Sequence, residues 1–247
     1  KVEEKHNVCP ECDYHFRVST NERIDITLDK DSFQEYWNDM VPADPLKFMD
    51  RIKYKDRIIS EQKKTKLNEA ATVGKGFIDG KEVVFGITDS SFIMGSMGSV
   101  VGEKIARAAE MALELRLPLI IVSGSGGGAR MHEGAFSLMQ MAKTCASIAR
   151  LQDAGLLFIS VLTDPTLGGV MASFASQGDI IIAEPGALVG FAGPRVIKET
   201  IRKTLPKGFQ SAESMLKHGF IDIIAARDRL KPEISKILDY CNGNSNG

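Results

Sequence analysis

Glycine is the residue type this chain places where chemistry would occur. Ser123 to Arg130 reads SGSGGGAR; it follows the apolar run Leu117 to Val122 and precedes an amphipathic helix expected to start near Met131. The construction recurs further on: an apolar strand from Leu156 to Leu162 is bounded by Thr163-Asp164-Pro165, and the pair Gly168-Gly169 opens a helix of small residues, Ala172, Ser173, Ala175 and Ser176. A strand, a glycine turn and a close-packing helix leave backbone N–H groups bare at the helix start, where their partial positive charge seats an oxyanion. Two such turns imply two anion sites or two walls of one. Few acids or bases stand near either turn, so chemistry here has to rest on backbone donors.

Other enzyme readings fit less well. Gly124, Gly126 and Ala129 match the relaxed dinucleotide pattern G-x-G-x-x-G/A. That pattern wants an acid about 20 residues on, at the end of the next strand, and the first acid at a strand end here is Asp164. The run GSVVGEK is one spacer short of a phosphate-binding loop, and Lys104 is followed by Ile105 where Ser or Thr is required. Ser96 with His132 and Glu133 suggests a nucleophilic hydrolase, but no G-x-S-x-G elbow occurs. His132 reads better as a polar residue of a first helical turn, where Glu133 complements the dipole.

The run HNVCPECDYH sets Cys9 and Cys12 on a knuckle whose spacing lets both thiolates reach one tetrahedral zinc. Two further ligands are needed. His6 and His15 are near, but a second CxxC upstream of Lys1 is the preferred source. Cys145 and Cys241 read as ordinary thiols.

The elements that must position these turns are partly legible. Asn21 to Met40 carries a short helical pattern, broken by Val41-Pro42-Ala43-Asp44-Pro45. Residues 47 to 66 mix Lys, Arg and Asp in the manner of a solvated connector. Gly76 to Ile87 alternates either side of Asp79-Gly80, as a hairpin does. Asp89 to Gly102 forms a glycine-bearing loop before a helix through Leu115, whose apolar positions suit packing on a sheet. A chain of 247 residues with 43% hydrophobic and 26% charged residues can bury a sizeable core. The net charge of −1 gives no case for nucleic acid. No apolar run approaches the roughly 20 residues of a membrane span, and no export signal opens the chain, so the cytoplasm is the expected compartment.

Several long motifs in order resemble one family across nearly the whole chain. MGSMGSVVGEK, GGARM-x-EG with LMQMAK, TDPTLGGVMASFA, GDIIIAEPGALVGFAGPRVI and LPKGFQSAE are similar to the carboxyltransferase β subunit of bacterial and plastid acetyl-CoA carboxylase. The Cys9/Cys12 knuckle resembles the second half of that family's four-cysteine ribbon. Against the family pattern the chain is one glycine short before Ser96 and one residue long in the turn at 123–130, which leaves open which of Gly126, Gly127 and Gly128 points its N–H into the site.

The resemblance implies an α/β, crotonase-like fold of stacked ββα units: a partial ribbon at 1–25, a carboxyltransferase domain at 26–242 and a disordered tail at 243–247. It implies transfer of a carboxyl group from carboxybiotin, borne by a biotin carboxyl carrier protein, to acetyl-CoA, giving malonyl-CoA for fatty acid biosynthesis. Gly127 and Gly128 are carried over as oxyanion donors, with Gly168 and Gly169 shaping the same pocket. Ser96, Met97, Gly98, Ser99 and Val100 would line the coenzyme A side, and Arg195 would contact a phosphate or a partner. Implied partners are a homologous α subunit in an α2β2 assembly, against which the small-residue helix at 170–176 would pack, and biotin carboxylase. The compartment would be the cytoplasm, or the plastid stroma in a plant or alga. The competing expectations are a zinc-ribbon binding module on an inactive body and another acyl-CoA enzyme of the same fold.

Overall fold

The computed structural model describes Val2, residues 5–203 and residues 205–242; the tail expected at 243–247 lies outside the described residues. In chain order the elements are α1 (Thr20–Thr27), β1 (Gln34–Tyr36), α2 (Tyr54–Thr65), β2 (Ala71–Ile78), β3 (Lys81–Thr88), α3 (Ser99–Leu115), β4 (Leu119–Ser125), α4 (Ala135–Asp153), β5 (Phe158–Leu167), α5 (Gly168–Met171), β6 (Ile180–Ala183), β7 (Val189–Gly190), α6 (Pro194–Ile201), α7 (Ala212–Lys217), β8 (Ile223–Ile224) and α8 (Arg227–Asn242). Among the described residues no helix is long and apolar enough to cross a membrane.

One mixed sheet carries the chain, in the order β1-β2-β3-β4-β5-β6-β8, with β7 paired to the far end of β5. The hairpin β2–β3 closes at Asp79-Gly80, as the alternation predicts; both turn residues have positive φ, +47° and +75°, which is why Asp-Gly suits this turn. Their N–H groups donate to the Asp29 carboxylate, at 3.0 and 2.8 Å. From β3 onward the strands run parallel. Parallel strands are buried on both faces and read as continuous apolar runs, and β4 and β5 do so. Side chains alternate between two cores. Leu119, Ile121 and Phe158 pack with Ile105, Ala109 and Ile148 of α3 and α4. Ile120, Val122 and Ile159 pack with Leu230, Ile234 and Leu238 of α8.

Several expectations need revision. The helical pattern at 21–40 yields only α1, and the edge strand β1 follows it. The charged stretch 47–66 contains α2, which buries Tyr54 and Ile58. β5 does not end at Leu162 but continues to Leu167. The small-residue helix at 170–176 is a single turn, α5, followed by a 3-10 turn at Phe174–Ser176. It packs on its own sheet: Val170, Phe174 and Ala175 are fully buried, and the Ser160 hydroxyl on β5 donates to the Ala175 carbonyl at 2.7 Å.

The zinc expectation is corrected as well. Among the described residues no group of three or more His, Cys, Asp or Glu side chains is placed to hold a metal ion. Cys9 and Cys12 do sit on a tight turn, with the Cys9 N–H donating to Tyr14 O at 2.9 Å and the Asp13 N–H to Cys9 O at 3.0 Å. The neighbouring imidazole is committed elsewhere. His15 is buried; its Nδ1 lies 2.9 Å from Asp13 O, and its Nε2 accepts the Arg227 N–H at 3.3 Å. That leaves it a docking contact between the turn and α8, and two thiols alone do not complete a tetrahedral site.

Candidate active site

The two glycine turns meet. β4 and β5 pair Ser123 with Leu162 and next Ser125 with Thr166, so Thr163, Asp164 and Pro165 bulge out of the ladder between these pairs. Pro165 is tolerated there because a bulge asks for no ladder N–H. The Thr163 and Thr166 hydroxyls both donate to Ser123 O, at 2.8 and 2.9 Å, and staple the bulge shut. Beyond it Gly168 arrives against Gly128. Both have positive φ, +62° and +59°, and a Cβ on Gly168 would stand 2.5 Å from Gly128 Cα. Only glycine permits two backbones this close in this conformation.

Hydrogen bonding then separates the donors that the sequence left open. The Gly126 N–H is spent on Met94 O at 2.9 Å, and that of Gly168 on Phe191 O at 2.8 Å. The N–H groups of Gly127, Gly128, Ala129 and Gly169 find no acceptor among the described residues. Gly127 and Ala129 line a cleft of about 280 Å³, together with Ser96, Met94, Met131 and His132. Bare N–H groups beside a cleft are what an oxyanion requires.

A buried ionic frame fixes the first turn, and sequence reasoning missed it. Arg130, whose side chain is wholly buried, makes a two-pronged contact with Glu69, 2.6 Å on each prong. It also donates from Nε to Ser96 Oγ at 3.1 Å and from Nη2 to Ser96 O at 2.9 Å. Burial works against its charge, but Glu69 and Tyr54 outweigh it and the guanidinium is held above its ordinary pKa. The Tyr54 hydroxyl receives a bond from Arg130 at 3.1 Å and donates to Glu133 Oε1 at 2.7 Å; burial pushes this phenol up. Glu133 Oε2 accepts the N–H of Ser99 at 2.6 Å. Glu133 therefore complements the N-terminus of α3 rather than its own helix, since α4 starts after it at Ala135. The loop and turn are also tied directly: Met97 N–H donates to Gly128 O and Arg130 N–H to Met97 O, each at 2.8 Å.

The expected site residues divide accordingly. Ser96 borders the cleft, Met97 is buried behind it, Gly98 leads into α3 and Ser99 and Val100 form its first turn. Gly98 is needed because a Cβ would lie 2.8 Å from Glu133 Oε1. Arg195 stands apart, exposed on α6 and paired with Glu199 at 2.9 Å. The hydrolase reading fails on geometry: the Ser96 hydroxyl serves Arg130, and His132 stacks flat on Tyr54 with ring centroids 4.9 Å apart. Lys104, the lysine of the rejected phosphate loop, is buried and donates to Ala71 O at 2.9 Å.

The carboxyl transferase domain family matches residues 17–246. The acetyl-coenzyme A carboxylase carboxyl transferase subunit beta of Desulforamulus reducens is 58% identical over 244 residues, covering 99% of this chain and 83% of that protein. Among solved structures, transcarboxylase 12S with hydrolysed methylmalonyl-coenzyme A bound superposes with a TM-score of 0.77 at 24% identity, over 97% of this chain and 44% of its own. A Pseudomonas malonate decarboxylase hetero-tetramer in complex with malonate superposes at 0.68 and 23%, over 92% and 82%. At those identities the structures establish the fold alone, the crotonase-like fold of carboxyl transferases.

Proposed function

Because this chain belongs to the family of acetyl-CoA carboxylase carboxyl transferase β subunits, we propose that the bare N–H groups of Gly127, Gly128 and Ala129 are where it holds the negative charge of its reaction. Its function is transfer of a carboxyl group from biotin to acetyl-CoA, giving malonyl-CoA. Loss of a proton from the acetyl methyl carbon sends that C–H electron pair toward the thioester oxygen, which becomes an enolate oxygen. The methyl carbon then bonds to the carboxyl carbon as the carboxyl's bond to nitrogen breaks. Bound biotin supplies the carboxyl group and a basic site for the proton.

One observation carries this reading: donors without acceptors, on a turn held rigid from behind by Arg130 and from the side by Gly168. Each fixed donor to a developing oxyanion is worth about 3 kcal/mol in mutational series on other enzymes, so a pair supplies a useful part of the barrier. Gly168 and Gly169 act as the wall of the same pocket. Ser96 to Val100 form the coenzyme A side.

We assign an α subunit as the partner, in an α2β2 assembly that meets the biotin carboxyl carrier protein and biotin carboxylase. In support, α6 has no buried residue, and Phe191, Val196 and Ile201 leave an apolar face in water. Arg195 lies on the same helix, as a partner contact. The proposed compartment is the cytoplasm, or the plastid stroma in a plant or alga.

The test is decarboxylation of malonyl-CoA with free biotin, by this chain alone and mixed with a carboxyltransferase α subunit. Activity that appears on mixing and is lost in a folded Gly128→Pro variant supports the reading. An inert mixture that also fails to bind coenzyme A overturns it.

A further inference from the structure

The second glycine turn leans on a segment that has no core of its own. Gly168 spends its N–H on Phe191 O at 2.8 Å, so the place of Gly168, and with it the aim of the bare Gly169 N–H, depends on where residues 191–193 lie. Their own side chains do little to fix them. Phe191 is 68% exposed, Ala192 and Gly193 offer a methyl group and a hydrogen, and α6, which follows at Pro194, has no buried residue.

Gln210 fixes the segment from across β7. Its main-chain O accepts the Val189 N–H at 2.8 Å, and its Nε2 donates to Ala192 O at 2.9 Å, one residue beyond the carbonyl that serves Gly168. Gly190 lies between these two contacts, paired in register with Leu167 at the end of β5. A Cβ on Gly190 would collide with the Gln210 amide nitrogen, so the absence of a side chain there is what lets the amide through. Gln210 itself stands on firm ground: two residues on, Ala212 is fully buried at the start of α7 and donates its N–H to Ala187 O at 2.9 Å.

This residue is held at a cost. Its φ of +62° is left-handed, which disfavours a residue with a Cβ, and its Oε1 is sealed from solvent with no partner among the described residues. A methionine would fill the same space without the second cost. What the amide adds is the bond to Ala192 O. Strained backbone and unpaired buried polar atoms cluster where a structure holds a site in shape, and here both occur in one residue whose side chain donates only to the segment that receives Gly168.

We propose that Gln210 is a positioning residue for carboxyl transfer: by holding Ala192 O it fixes the Phe191 carbonyl, keeps Gly168 seated against Gly128 and aims the Gly169 N–H. This rests on the carboxyl transfer reading above and adds to it a residue outside the cleft.

The experiment uses the complex with the α subunit. For wild type and Gln210→Met, kcat and KM for malonyl-CoA decarboxylation are measured together with melting temperature and hydrogen exchange at the Gly168 amide. Methionine removes the donor and the unpaired oxygen together, so the melting temperature should hold or rise. In the same variant kcat should fall at least tenfold with KM within twofold, and Gly168 should exchange at least tenfold faster. The pair is then repeated in a Gly168→Ala background, where a residue acting through this turn has little left to lose: Gln210→Met should cost less than threefold there. Should Gln210→Met fail to fold, Gln210→Asn takes its place with the same expected activity and exchange. Asparagine accepts a left-handed φ more readily, and its amide is one methylene too short for Ala192 O. A kcat within twofold of wild type, or an equal loss in both backgrounds, overturns the proposal and leaves the carboxyl transfer reading intact. An inactive wild-type complex counts against that reading; exchange at Gly168 then decides the role of Gln210, and an unchanged rate overturns it.

Discussion

Replacing Gly168 with Ala tests whether contact between the two turns sets the geometry of the site. The added Cβ would stand 2.5 Å from Gly128 Cα and 3.1 Å from its N. Carbon atoms rest about 3.5–4.0 Å apart, so the turns must part by about 1 Å, and both partners are main chain with nothing to swing aside. At a φ of +62° alanine incurs a left-handed cost of about 1–2 kcal/mol. Overpacking adds about 1–3 kcal/mol, for a total of about 2–5 kcal/mol in stability. A displacement of about 1 Å in a positioned group costs about 100-fold in rate. Malonyl-CoA decarboxylation in the complex with the α subunit should therefore lose about two orders of magnitude in kcat. Gly186→Ala is the control: its φ is +69°, yet nothing lies within 4 Å of the new Cβ. It should lose stability alone, by about 1–2 kcal/mol in urea unfolding. Gly128→Ala should fall between the two, since its Cβ meets Gly169 N at 3.4 Å. If Gly168→Ala kept kcat within twofold of wild type and melted no lower than Gly186→Ala, the contact would have no part in catalysis.

Three further outcomes are expected. Glu69→Gln removes the two-pronged partner of buried Arg130 and leaves it only Glu133, 3.8 Å away, which should cost about 3 kcal/mol in urea unfolding; adding Arg130→Met should recover part of it. Burial alone would raise the Glu184 carboxyl, but Arg23 and Arg227 outweigh it and hold its pKa at about 2. Because that value lies below the unfolded one, the stabilisation is full above about pH 4.5, is lost as pH falls toward 2, and amounts to about 3 kcal/mol. Urea midpoints at successive pH values should show this slope, and Glu184→Gln should flatten it. Val196→Asp, at a position 56% exposed on α6, should weaken association with the α subunit at least tenfold in sedimentation while leaving the melting temperature of the free chain unchanged.

The parts of this structure visible in the sequence are those set by local chemistry. The apolar runs of β4 and β5, the Asp79-Gly80 hairpin and both glycine turns follow from residue pattern alone. What stayed hidden depends on partners distant in the chain. Tyr54 lies in a stretch dense in charge, and only the fold shows that its ring supports His132 and its hydroxyl bridges Arg130 and Glu133. Glu133 had the right role, complementing a helix N-terminus, on the wrong helix. Which of Gly126, Gly127 and Gly128 keeps a bare N–H could not be read until Gly126 was seen to donate to Met94. The Cys9/Cys12 spacing allows a metal, but spacing says nothing about the remaining ligands, and His15 was already bound to α8. α5 misled for a related reason: small residues look like an interface whether the neighbour is another chain or the sheet beneath.

The proposed catalytic centre, made of peptide N–H groups, inverts the usual signature of a mutational scan. Alanine scanning finds important positions by truncating side chains, and Gly127, Gly128, Gly168 and Gly169 have none to truncate. At Gly168 the scan adds a methyl group where main chain already lies, so the damage comes from gain of an atom rather than loss of one. Variant tables that score glycine to alanine as a mild exchange would rank this position as tolerant and Arg130 as the centre of activity. The positions most resistant to chemical mimicry would be those such a table passes over, and a saturation library at these glycines, in which every member is an addition, would be needed to map them.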